Sequence, residues 1–140
     1  MLQHLDPVPF TVENEAHMGL SETQGLLSCD GRNLLIEYRT TDTLFGALKS
    51  SLKTLVVPFD EIRSIQCERK LFGMMLRLVI CTRTQQALEA LPNAKGGRVI
   101  VTLERRDWKT GEEFCLAIQE VVVRRRSLRM GEDLDAIEGM

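Results

Sequence analysis

A chain of 140 residues with 44% hydrophobic and 27% charged side chains has the composition of one globular domain, long enough to bury roughly two-thirds of its unfolded surface. A formal net charge of -2 excludes a general electrostatic pull toward nucleic acid or anionic membranes, and no apolar run approaches the roughly 20 residues that a membrane-spanning helix needs. No basic segment leads into an apolar run near Met1, so no signal peptide is expected. The scattered Cys29, Cys67, Cys81 and Cys115 suit reduced thiols in a cytoplasm better than a disulfide framework.

Residues 1–17 contain Pro7 and Pro9 and few periodic apolar positions, which predicts an extended N-terminal arm. Leu20 to Ser28 reads as a strand, with Gly25 as the place for a bulge. Asp30-Gly31 is a hairpin signal. Asn33 to Thr40 alternates, with Leu34, Ile36 and Tyr38 on one face and Glu37 and Arg39 on the other. Thr41 to Ser51 is a loop around Leu44-Phe45-Gly46. Leu52 to Phe59 is a strand with Leu55, Val57 and Phe59 together, and Pro58 marks an edge. Ile62 to Arg69 follows, and its Ile62–Ile65 spacing implies a bulge at the strand start.

Lys70 to Gly73 is a tight connection. Met74 to Thr82 places Leu76, Leu78 and Ile80 inward. Gln85 to Leu91 has helix-forming residues yet lies between two strands. Pro92 to Gly97 is a loop. Arg98 to Glu104 places Val99, Val101 and Leu103 inward. Asp107 to Arg126 is the one long helical pattern, with Phe114, Ala117, Ile118, Val121 and Val122 forming an apolar stripe. Thr110 and Glu113 have capping-box spacing, Asp107 is a competing start, and Gly131 is a stop. An acidic, mobile tail over 131–140 is expected. The fold class is therefore mostly β (α+β): a bent antiparallel sheet or open barrel of about seven strands, capped by one C-terminal α-helix.

The progression Gly25-Leu26-Leu27, Asn33-Leu34-Leu35-Ile36-Glu37-Tyr38-Arg39, Lys53-Thr54-Leu55-Val56-Val57-Pro58-Phe59, Glu61-Ile62-Arg63-Ser64-Ile65, Ala90-Leu91-Pro92 and Val99-Ile100-Val101-Thr102-Leu103 resembles the pleckstrin-homology (PH) superfold, in particular small bacterial PH-like and GRAM-type domains. The resemblance implies a PH-like domain over 18–130, with Gln85 to Leu91 as its sixth strand. It also implies phosphoinositide binding through basic residues on the first two strands. Here that region supplies only Arg32 and Arg39, accompanied by Asp30 and Glu37, a poor phosphate cradle.

No catalytic or metal-binding constellation stands out. His4 and His17 have no cysteine at ligand spacing, so neither metal nor cofactor is expected, and Cys29 in a turn is the best candidate for a reactive thiol. Arg124, Arg125, Arg126 and Arg129 can, with Arg32 and Arg39, contact anions. Yet residues 97–140 hold eight basic and nine acidic side chains, and no aromatic platform for single-stranded nucleic acid accompanies them. The apolar Leu35, Val56, Met75, Val79, Ile100, Leu116 and Val123 fall on faces assigned outward, enough for a patch that calls for a partner. The expectation is a non-catalytic, cytoplasmic protein-interaction module that binds itself or another protein and no specific nucleic acid. The alternatives are a binder of anionic lipid headgroups or other phosphates, making peripheral membrane contact through its arginines, and an enzyme of unrecognised type.

Overall fold

The computed structural model describes residues 5–13, 21–42 and 52–138. Its strands are β1 (Val8–Glu13), β2 (Ser21–Cys29), β3 (Asn33–Asp42), β4 (Lys53–Pro58), β5 (Ile62–Lys70), β6 (Met75–Thr82) and β7 (Arg98–Leu103), followed by the helix α1 (Trp108–Glu138). They form one antiparallel sheet in the order β4-β3-β2-β1-β7-β6-β5. Two meanders, β1 to β4 and β5 to β7, thus meet side by side at β1 and β7. The ends β4 and β5 do not pair with each other, so the sheet is not closed into a barrel.

The alternating strands bury the expected side. Leu34 and Ile36 of β3, Leu76, Leu78 and Ile80 of β6, and Val99, Val101 and Leu103 of β7 are buried, together with Phe114 and Ile118 of α1. Leu55 and Val121, also expected in the core, are partly buried against it. A register shift between Ile62 and Ser64 gives the irregularity that the Ile62–Ile65 spacing requires. Pro58 ends an edge strand, where its missing N–H breaks no ladder. Of the loop expected over Thr41 to Ser51, Thr41 and Asp42 belong to β3 and the rest lies outside the described residues, as do His4 and His17.

Several expectations need correction. The N-terminal arm is not a lead-in: Val8, Phe10 and Val12 alternate inward as β1, in the middle of the sheet. Pro9 is tolerated there because β1 pairs along its length with β2 but meets β7 only at Thr11↔Thr102. Gly25 makes no bulge. It stands opposite Phe10 in an unbroken register, and a Cβ there would collide with the Glu37 carbonyl and sit 2.6 Å from Phe10 Cζ. The absent side chain is what lets the Phe10 ring lie on the sheet.

The segment Gln85 to Leu91 is not a strand. Gln86–Leu88 is a single 3-10 turn, as its helix propensity favours. Leu88 and Leu91 enter the core from it, and the Tyr38 hydroxyl donates to the Ala90 carbonyl at 3.1 Å. At the other end of the chain the helix begins at Trp108, two residues before Thr110 and beside the alternative start Asp107. It continues past Gly131 to Glu138, in place of the expected stop and mobile tail. A helical glycine costs only about 1 kcal/mol relative to alanine, and most of its neighbours are good helix formers.

Candidate interaction surface

The helix lies along the edge strand β5 and occupies its exposed backbone. Gln119 Nε2 donates to the Ile65 carbonyl at 2.7 Å, the Cys115 thiol approaches the same oxygen at 3.7 Å, and Arg126 Nη2 donates to the Arg63 carbonyl at 2.6 Å. These carbonyls would otherwise be open to a strand from another chain. Arg69 pairs with Glu112 at 2.6 Å and stacks over the Trp108 ring, whose Nε1 donates to the Leu103 carbonyl. Among the described residues the uncovered edge of the sheet is therefore β4. There Leu52 and Val56 are exposed, and Lys53 and Pro58 flank the strand as residues that discourage pairing.

The six arginines expected to contact anions do not converge. Arg124 pairs with Glu120 at 2.7 Å, and Arg125 and Arg129 both pair with Asp60, at 3.2 and 3.3 Å. Arg126 is held by Arg63 as above. These four fasten the helix to itself and to the turn before β5. Arg32 and Arg39 are exposed, but one precedes β3 and the other lies within it, about 23 Å apart along an extended strand. Asp30 beside Arg32 is committed to its turn: it accepts from the backbone N–H groups of Arg32 and Asn33. Those bonds, with that from the Asn33 side chain, hold its carboxyl below the usual range.

The seven apolar residues expected on the surface do not form one patch. Leu35 and Val56 are cross-strand neighbours on β3 and β4. Val79 and Ile100 are neighbours on β6 and β7, and Val79 is only 5% exposed. Val56 and Ile100 lie four strand positions apart in the sheet, roughly 19 Å. Met75 and Leu35 are half-buried. Leu116 and Val123, on the outer side of α1, stand free at 64% and 59% exposure, and Met130 joins them at 60%.

Sequence reasoning missed a second apolar element. The turn between β5 and β6 presents Leu71, Phe72 and Met74 to solvent. Leu71 and Phe72 have φ of 54° and 58°, a left-handed conformation that costs a bulky residue about 1–2 kcal/mol. Gly73 continues it at 83°, and the Met74 N–H closes the turn on the Leu71 carbonyl at 3.1 Å. The Arg69–Glu112 ion pair ties this hairpin to the start of α1, and Leu116 lies one turn further along the helix. The only sequence signal was the unbroken apolar character of Leu71-Phe72-Gly73-Met74.

The cysteines are packed rather than activated. Cys29 is half-buried, and that burial, with the Asp30 charge adding to it, raises its thiol above the ordinary range. This is opposite to what a reactive thiol needs. Burial pushes Cys115 from 9.0 up to about 12. The folded chain keeps that proton at a pH where the unfolded chain gives it up. Stability is expected to fall between pH 9.0 and about 12 by up to about 1.4 kcal/mol per unit. Urea midpoints of the parent and Cys115→Ala at neutral and alkaline pH check this. The variant should decline less steeply above pH 9.0, and an equal decline would contradict the assignment.

Among the described residues no group of three or more His, Cys, Asp or Glu side chains is placed to hold a metal ion, and no helix is long and apolar enough to cross a membrane. Compared with protein-family models, with curated proteins and with solved structures, the chain matches none.

Proposed function

We propose that this protein is a non-catalytic, PH-like interaction module that self-associates through the outer side of α1. The order of elements supports the PH-like part: a four-strand meander, a three-strand meander, then a helix that covers one sheet edge. The observation that carries the function is the spacing of Leu116, Val123 and Met130. They recur every seven residues on a helix about 46 Å long, roughly 105° round the axis from the buried stripe of Cys115, Ile118 and Val122.

Leu116, Gln119, Glu120 and Val123, with Arg124, line a depression on that outer side. Positions i, i+3, i+4 and i+7 are the four that form the hole for a knob from a facing helix. A second copy supplies knobs of the same shape, so a two-fold pairing satisfies both chains at once. The strained apolar turn at Leu71-Phe72 lies just beyond the Arg69–Glu112 ion pair at the start of α1 and is a second exposed apolar surface for the partner.

Sedimentation equilibrium at tens of micromolar checks the reading. The parent is expected to dimerise and Val123→Glu to be monomeric, the two melting alike at a dilution where the parent is also monomeric, because the side chain is free in the monomer. Phe72→Ser should weaken the dimer less. A parent that stays monomeric, or a dimer indifferent to Val123→Glu, would contradict the proposal.

A further inference from the structure

Away from the helix, a cavity of about 410 Å³ opens where β1 and β7 part, lined by Val12, Met75, Arg77, Lys95, Arg98, Ile100 and neighbouring polar groups. Past the single Thr11↔Thr102 pair the two strands are no longer bonded, which leaves the gap. Three of the lining side chains are cationic.

Two of these cations are forced together by the backbone. Lys95 and Arg98 exchange both main-chain hydrogen bonds, Lys95 N–H to the Arg98 carbonyl at 2.9 Å and Arg98 N–H to the Lys95 carbonyl at 3.1 Å. Between them Gly96 and Gly97 have φ of 61° and 74°, the two left-handed positions of a type I′ turn. A directly opposed pair puts both side chains on one face, and like charges there repel. Neither side chain has an ion pair or hydrogen bond among the described residues. Arg77 approaches the cavity from β6. Its one charged neighbour, Glu68, is 3.9 Å away, and its Nε is buried without a hydrogen-bond partner. A guanidinium with one long ion pair and an unrelieved cation pair around one cavity share a single remedy, an anion that accepts from all three.

We infer that this cavity is a binding site for a small polyanion bearing phosphate groups, held by Arg77 from one end and by Lys95 and Arg98 from the other. Arg77 and Arg98 stand about 13 Å apart along the strands, so a ligand with more than one phosphate spans the site better than a single phosphate does. Asn93 and Thr102, also in the lining, supply neutral hydrogen-bonding groups. The site shares no residue with the self-association surface or with the arginines of α1.

The test is a backbone NMR titration of the full chain with inorganic pyrophosphate, repeated at higher salt and with the double variant Lys95→Gln, Arg98→Gln. Shifts should centre on Arg77, Asn93, Lys95, Arg98 and Thr102 and weaken with salt. The double variant should lose roughly tenfold or more in affinity. Its melting temperature should be equal or higher, since the repulsion is gone, which separates lost binding from lost folding. Sedimentation with phosphatidylcholine vesicles, with and without phosphatidylserine, distinguishes the ligand's source. Vesicle binding abolished by the double variant assigns the phosphate to a lipid headgroup, and pyrophosphate binding alone assigns a soluble ligand. No binding of either probe, shifts centred on Arg32 or on Arg124 to Arg129, or affinity unchanged in the double variant would overturn the inference.

Discussion

Ile118→Asp is expected to unfold most of the protein at room temperature. Ile118 is 0% exposed and sits where the helix meets the sheet. Losing a buried isoleucine costs on the order of 2–5 kcal/mol through transfer and cavity terms alone, and an unpaired carboxylate adds a further burial penalty. A domain of this size has only about 5–15 kcal/mol in total. Circular dichroism and a urea titration would measure the loss. Leu116→Asp, only two residues earlier but facing solvent, should leave the monomer within roughly 0.5 kcal/mol of the parent. If Ile118→Asp melts like the parent, α1 is not the cover of the sheet described here.

Gly25→Val should be nearly as damaging. The new Cβ would collide with the Glu37 carbonyl of β3 and come within 2.6 Å of the Phe10 ring of β1. Neither neighbour can yield cheaply, one being main chain and the other a buried ring in the middle of the sheet. A loss of about 3 kcal/mol or more is expected, within the upper range of overpacking effects. Gly31→Ala is the contrast: nothing lies within 4 Å, and only the φ of 93° opposes it. Its cost should be about 1–2 kcal/mol, read from the same urea midpoints. Equal losses at the two positions would contradict the close packing of Gly25 against Glu37 and Phe10.

The difference between what could be read in the sequence and what could not follows from the range of the interactions involved. β2 to β7, apart from the mistaken strand at 85–91, were legible because alternation is local: Leu76-x-Leu78-x-Ile80 records its own exposure. β1 was missed because Pro7 and Pro9 surround the short alternation of Val8, Phe10 and Val12. A central strand tolerates Pro9 only because pairing with β7 is confined to Thr11, a fact about another part of the chain. The buried stripe of α1 was legible for the same local reason, but its length was not, since Gly131 is a stop only where the chain needs a left-handed residue.

The surface was harder still. Leu116 and Val123 were found by facing away from the apolar stripe, and both are free. Val79 and Ile100 also face outward by alternation, yet Val79 is buried and Ile100 half-buried. Whether Val56 lies near Ile100 depends on strand order, which no local pattern contains. The cation pair was within reach: Lys95-Gly96-Gly97-Arg98 is a two-residue hairpin signal with a basic residue on each side, and that reading alone opposes the two charges. Arg77 could not be joined to them without the β6–β7 register.

The measurement that bears most directly on self-association is an isotope-filtered NOE experiment on an equal mixture of labelled and unlabelled chains. The account predicts intermolecular NOEs to the methyl groups of Leu116, Val123 and Met130, with weaker ones to Leu71. It predicts none to Leu52 or Val56 on the bare β4 edge. Intermolecular NOEs confined to Leu52 and Val56, or none at a concentration where the protein sediments as a dimer, would contradict it.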